Sequence, residues 1–241
     1  MKKHTLLMAF IAFGAAYCLA SPAQSQSTVN GSSINACDQS PQADNTTTLT
    51  LDCGSKVQTG QLAIADVLTY NGAGPTITPP QGWTLIRDDS SDSTRQSLYW
   101  HVIDASEPGY ETWTFSEPVN AQGVLLLLDD VAGSADPIDA SSGNPGHSGT
   151  LTADSLQTSS AGDLVLAFYA TDFEGVGPGH DKPNNMSTVL DEEGSPLEYW
   201  ILATSQTDSG DLAEATCTTP QLFNWVAAQV AFKTASQTAS R

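Results

Sequence analysis

The chain has 241 residues, with 8 Lys or Arg against 27 Asp or Glu and a formal net charge of −19. Such a polyanion is repelled by nucleic acid and by anionic membrane surfaces, which excludes both as partners. Its 39% hydrophobic content suffices for a large core, so the chain is globular.

The first residues read as a signal peptide over 1–23. Lys2 and Lys3 form a basic n-region, 6–16 is an apolar stretch, and Ala20, Ser21 and Ala23 offer small residues for cleavage. The stretch is short for a ~30 Å hydrocarbon core, and the later run 124–128 is only strand-sized, so no membrane span is expected. Cys18 follows Tyr17, where a lipoprotein signal needs a small residue. The mature protein is therefore expected outside the cytoplasm: extracellular, on the cell surface or in the periplasm. Residues 24–43 are rich in Ser, Gln and Asn and read as a flexible segment.

Cys37, Cys53 and Cys217 remain after processing, an odd number that leaves one free thiol or an intermolecular bond. Cys37 and Cys53 flank a polar segment and are expected to pair. Cys217, 102 residues after Phe115, reads as a small buried hydrophobe.

From residue 44 onward, short alternating or wholly apolar runs are separated by Gly, Pro, Ser and Asp, with no helical period. The pattern is all-β. Expected strands are 47–51, 61–70, 83–87, 96–103, 110–116 and 122–129, then 149–153, 163–171, 187–191, 197–204, 212–218 and 224–233. The second set echoes the first. Thr48-Leu49-Thr50-Leu51-Asp52 returns as Thr150-Leu151-Thr152-Ala153-Asp154, and Gly60-Gln61-Leu62 as Gly162-Asp163-Leu164, both 102 residues on. Tyr99-Trp100 returns as Tyr199-Trp200. The expected architecture is a jelly-roll-like β-sandwich of two pseudo-symmetric halves, 44–132 and 146–234, joined by a loop and followed by a flexible tail, 235–241.

Gly60 to Leu68, the turn Thr78-Pro79-Pro80-Gln81-Gly82-Trp83-Thr84-Leu85, Glu107-Pro108-Gly109-Tyr110 leading to Trp113-Thr114-Phe115, and Pro137-Ile138-Asp139 occur in this order. In these motifs the chain resembles a recurrent β-sandwich module of bacterial extracellular and phage-associated proteins. It departs from the module's pattern at Trp100-His101-Val102-Ile103. The resemblance implies a secreted or surface role in structure or binding and no particular reaction.

A search for chemistry yields little that is catalytic. Gly146-His147-Ser148-Gly149 lacks nucleophile-elbow spacing, and His101, His147 and His180 are isolated. Acidic turns carry the sharper signal, because clustered hard oxygens suit Ca²⁺. Asp88, Asp89 and Asp92 form one such cluster, Asp191, Glu192 and Glu193 a second. Loops 71–82 and 172–185 occupy equivalent places in the two halves, and a ligand site there would use Trp83, Asp172, Glu174, His180 and Asp181. The expected function is a non-enzymatic binding or adhesion module, with a glycan or another surface protein as partner. The rivals are a polysaccharide-acting enzyme on the same scaffold and a structural subunit of an extracellular assembly.

Overall fold

In the computed structural model, residues 26–29, 31–70, 74–131, 136–172, 181–192 and 198–235 are described, with the backbone alone at 38–42. Apart from one turn of 3₁₀ helix at Gly54–Lys56, the regular structure of the described residues is strand. The strands are β1 (Gln26–Val29), β2 (Ser32–Asp52), β3 (Leu62–Tyr70), β4 (Ile77–Thr78), β5 (Thr84–Ser90), β6 (Thr94–Val102) and β7 (Tyr110–Leu128). They continue as β8 (Ile138–Ala153), β9 (Leu156–Thr158), β10 (Leu164–Thr171), β11 (Ser187–Glu192), β12 (Glu198–Ser205), β13 (Gly210–Leu212) and β14 (Ala215–Phe232). All pairings are antiparallel.

The duplication is written into the topology. One sheet contains the order β2-β7-β3-β6-β5 and the other β8-β14-β10-β12-β11, the same path twice. β5 and β11 carry a bulge at the same place, between Leu85 and Arg87 and between Thr188 and Leu190. The two sheets stack into an all-β sandwich. Leu62, Ile64, Leu68, Leu126 and Leu128 of one half share a buried cluster with Leu164, Leu166, Phe168, Val230 and Phe232 of the other. Alternation then sends Ala63, Ala65 and Val67 to the opposite face of β3, and Ala167 and Tyr169 to the opposite face of β10.

Those outer faces are not left to solvent. The paired strands β2 and β7 bend, so that Leu49, Leu51, Trp113 and Phe115 fold back over Ala63, Ala65 and Leu127. The bend falls where Thr46 and Thr48 are two residues apart while their partners Val119 and Thr114 are five apart. The extra residues of β7 break the ladder and turn the ribbon, as a bulge does on a smaller scale. β8 and β14 repeat the device between Thr218 and Phe223, opposite Ser148 and Thr150, and lay Leu151, Ala153 and Cys217 over Tyr169 and Trp200.

The structure corrects several sequence expectations. Runs 110–116 and 122–129 are two arms of the single strand β7, and 212–218 and 224–233 belong largely to β14. Much of 24–43, expected to be flexible, is strand: β1 and the first arm of β2. The expected loop between the halves is strand from Ile138, which pairs with β14 at the sheet edge. An edge strand has one free hydrogen-bonding side and no need of apolar side chains, so Gly, Ser and Pro145 are tolerated there.

The Tyr-Trp repeat is accidental. Ala65 faces Tyr99 across the ladder, and its counterpart Ala167 faces Leu202, so the true offset here is 103. Because 103 and 100 differ by an odd number, the two pairs point to opposite faces. Tyr99 and Trp200 pack outward, whereas Tyr199 joins the shared inner cluster with Trp100 beside it. Cys217 likewise stands opposite Leu151 as Trp113 stands opposite Leu49, so its counterpart is Trp113 rather than Phe115.

Cys37 and Cys53 form a disulfide across 16 residues, with Cα atoms 4.9 Å apart. It ties the two arms of bent β2 together within the outer cluster. Cys217 is free and fully buried; burial pushes its thiol up to about 11, with Trp200 Nε1 donating to Sγ at 3.2 Å.

Candidate functional site

The C-terminal ends of β3 and β10 lie at one end of the sandwich, because Tyr70 pairs with Thr94 and Asp172 bonds its neighbour Ser93. Asp172 shows this directly, because it reaches across to the other half. Its carboxylate accepts Ser93 Oγ at 2.6 Å, from the turn between β5 and β6. It also accepts Asn224 N at 3.0 Å and Nδ2 at 2.8 Å, from β14. The half-buried carboxylate is thereby satisfied by three donors and acts as a clamp between halves rather than as a free ligand-binding group.

Beside this clamp a cleft of about 470 Å³ opens between the halves. Ser90, Ser91 and Asp92 form one wall, and Pro145, Gly146, His147 and Asn224 the other. Asp92 and His147 are exposed at its rim. Gly146 cannot carry a side chain without striking the Trp225 ring, so the wall is held close to the indole. Hydroxyl, carboxamide, imidazole and carboxylate groups face one another here, a lining able to donate and accept hydrogen bonds. Of the expected ligand residues that are described, Asp172 alone adjoins this cleft, through Asn224. His147, Asn224 and the two serines were not legible as site residues, because three sequence-distant segments meet only after the halves stack.

The other described ligand residues, Trp83 and Asp181, lie elsewhere. Trp83 is 7% exposed and packs edge-on against Trp113 with ring centroids 5.0 Å apart, and against His101 at 5.4 Å. It fills the outer core and offers no face to a ligand. Asp181 lies on the outside of the second half, bridged to Thr218 of β14 through backbone hydrogen bonds of 2.9 and 3.1 Å. Glu174 and His180 lie outside the described residues.

Among the described residues the acidic clusters are held mostly by pairing with cations. Asp88 and Asp89 are both within β5, so strand alternation turns their side chains to opposite faces. Asp88 takes two hydrogen bonds from Arg95, at 2.8 and 2.6 Å, and one from Ser97 at 3.0 Å. Burial acts to raise its carboxyl, but the Arg95 hydrogen bonds and charge, with Ser97, hold it below its ordinary value. Asp89 is held by Arg87, whose Nη2 donates at 2.8 Å. Asp191 is paired with Lys182. Burial, with repulsion from Asp191, raises Glu192. Glu193 lies outside the described residues. Among the described residues no group of three His, Cys, Asp or Glu side chains converges to hold a metal ion.

The Pro-Pro turn proves to be part of the repeat. Trp83 N donates to Pro80 O at 3.4 Å, and Met186 N to Pro183 O at 3.2 Å, each just before the bulged strand. Sequence comparison hid this because Trp83 is replaced by Met186 and Thr78 by Asp181, while the turn geometry persists.

No protein-family model, no curated protein and no solved structure matches this chain.

Proposed function

We propose that this chain is an exported, non-enzymatic binding or adhesion module of the extracellular space or cell surface, and that the cleft between its halves takes a glycan. The cleft carries the reading. Its exposed Ser90, Asp92 and His147 side chains offer donors and acceptors at close quarters, with Ser91 and Asn224 held in place by Thr94 and Asp172. Sugars are recognised by such mixed polar groups, which satisfy hydroxyls that both donate and accept. The Asp172 clamp fixes the separation of the two walls, which lowers the ordering cost of binding.

Export is supported by the basic and apolar pattern over 1–23 and by the Cys37–Cys53 disulfide, which persists in an oxidising compartment. The motif order shared with extracellular β-sandwich modules points the same way.

The test is a glycan array on the mature chain, followed by calorimetry on the hits with Asp92→Ala and His147→Ala. Both side chains are exposed, so the variants are expected to fold and to lose tenfold or more in affinity, about 1.4 kcal/mol. Absence of any glycan ligand overturns the ligand class. Release of reducing ends from a bound polysaccharide overturns the non-enzymatic reading.

A further inference from the structure

We infer that the cleft selects a glycan of amino sugars whose amines are free and protonated, which rests on the reading of the cleft as a glycan site. Asp92 carries the argument. It stands exposed in the cleft wall, and among the described residues no cation pairs with it. The opposite wall is Pro145, Gly146, His147 and Asn224, with no lysine or arginine.

The charges around the cleft leave it negative. Arg95 donates to Asp88 at 2.8 and 2.6 Å, and Arg87 to Asp89 at 2.8 Å, so both arginines are matched within their own strand pair. Asp172, behind Asn224, accepts from Ser93 Oγ and from Asn224 N and Nδ2. All three donors are uncharged, so they satisfy its oxygens and leave its charge in place. Lys182 and Lys233 pair with Asp191 and Asp136. Lys56 belongs to the turn ahead of β3, whereas the cleft lies past the far end of that nine-residue strand, roughly 27 Å away.

Asp92 is also held in position. Ser91 Oγ donates to Thr94 O and accepts from Thr94 N, both at 3.2 Å, which closes the turn on one side of Asp92. On the other side Ser93 is fastened to Asp172 of the second half at 2.6 Å. With both chain neighbours anchored, the carboxylate meets a ligand from a fixed backbone, and little ordering is left to binding.

Charge complementarity then sorts sugars by their substituents. Carboxylated or sulfated sugars would meet two unmatched carboxylates on a chain of net charge −19 and be repelled. A neutral sugar would hydrogen-bond Asp92 but leave its charge unmatched. A protonated amine supplies that charge together with three N–H donors, and bonds between ionised partners are the stronger kind. Ser90 and His147, exposed in the same cleft, remain for hydroxyls of the same ligand. These groups favour a cation carried on a polyhydroxyl frame over a bare one.

The test is titration calorimetry of the mature chain with β-1,4-linked trimers of glucose, N-acetylglucosamine and glucosamine, which differ at carbon 2, and with a galacturonate trimer. The glucosamine trimer is expected to bind at least tenfold more tightly than the other three, by a margin that shrinks as salt is added. Asp92→Asn, which keeps the size of the side chain, should weaken glucosamine binding at least tenfold. Asp208→Asn should leave it unchanged. Asp208 follows β12 at the opposite end of the sandwich, where Gln206 bonds to Gly162 and Asp163 ahead of β10. Unchanged melting temperatures will verify that both variants fold. Equal or tighter binding of a neutral or acidic trimer overturns the amine class and leaves the glycan reading standing. Equal loss with Asp208→Asn, or tetralysine binding as tightly as the glucosamine trimer, would show a general attraction of polycations and overturns it as well. Silence from all four trimers beside another hit on the glycan array defeats the amine class alone, whereas an empty array defeats both readings.

Discussion

Asp66 interrupts an otherwise apolar face. Leu62, Ile64 and Leu68 of the same strand enter the core shared by the two halves, and Asp66 enters it with them, fully buried. Gln96 Nε2 donates to one carboxylate oxygen at 2.9 Å, whereas Oδ1 has no hydrogen-bond partner. Burial pushes this carboxyl up to about 8, the Gln96 hydrogen bond opposing the rise only in part. The folded protein therefore keeps a proton that the unfolded chain releases near 4. Between about pH 4 and pH 8 the native state binds more protons than the unfolded state, so stability falls as pH rises, by up to ~1.4 kcal/mol per unit, and levels off above. Chemical denaturation of the mature chain across this range should show that decline, and Asp66→Asn should flatten it. A pH-independent difference between the two proteins would show that Asp66 is charged when folded.

At the scale of elements, the bent ribbons decide the layering. Each half would otherwise be one sheet with two apolar faces, and each ribbon covers the face that its partner half does not. Trp113 shows what the covering contributes, since it is fully buried between the ribbon and the sheet, in contact with Trp83 and Tyr99. Truncating such a residue typically costs about 3–5 kcal/mol. The Cys37–Cys53 disulfide fastens only the first ribbon, closing a loop of about 15 residues that is worth ~3 kcal/mol through the unfolded chain. The paired substitution Cys37→Ser/Cys53→Ser should lower the melting temperature by several degrees, as reductant should in the native protein. Cys217, buried and far from its thiolate range, should stay unmodified by thiol reagents until unfolding. An unchanged melting temperature would mean that packing alone holds the bend.

At the scale of the molecule, the two halves complete each other. The inner face of the first half presents Ile34, Ile64, Leu68, Leu98 and Val124 to the second, all fully buried. β5 lies against β8, and β2 against β11, the same contact made twice about a pseudo-twofold axis along the strands. Arg87 extends this contact, because a side chain at Gly143 of β8 would strike its guanidinium. Either half alone would expose a continuous apolar sheet, far larger than the patches monomers tolerate. Residues 26–131 expressed without the rest should aggregate, and co-expression with 136–235 should restore a soluble one-to-one complex on size-exclusion chromatography. A folded, monomeric half would contradict the shared core.

The sequence by itself determined the class of structure and its duplication. Alternation in 62–70 and 164–171 records a sheet with defined faces, and the spacing of the Thr-Leu-Thr segments records the repeat, because both are local properties of a strand. The Cys37–Cys53 pair was legible for the same reason, being close along the chain. Tertiary structure decided which faces meet. An odd slip of register reverses every side chain, so the Tyr-Trp echo misled, while the turn at Met186 and the counterpart of Trp113 went unseen. It also decided the sites. The cleft draws on three distant segments, Trp83 is drawn into the core by Trp113 and His101, and Asp88, Asp89 and Asp191 find arginine and lysine partners that no spacing reveals. Thr48-Leu49-Thr50 and Thr112-Trp113-Thr114 were in the sequence as Thr-x-Thr, but only the folding of the ribbon set them opposite one another.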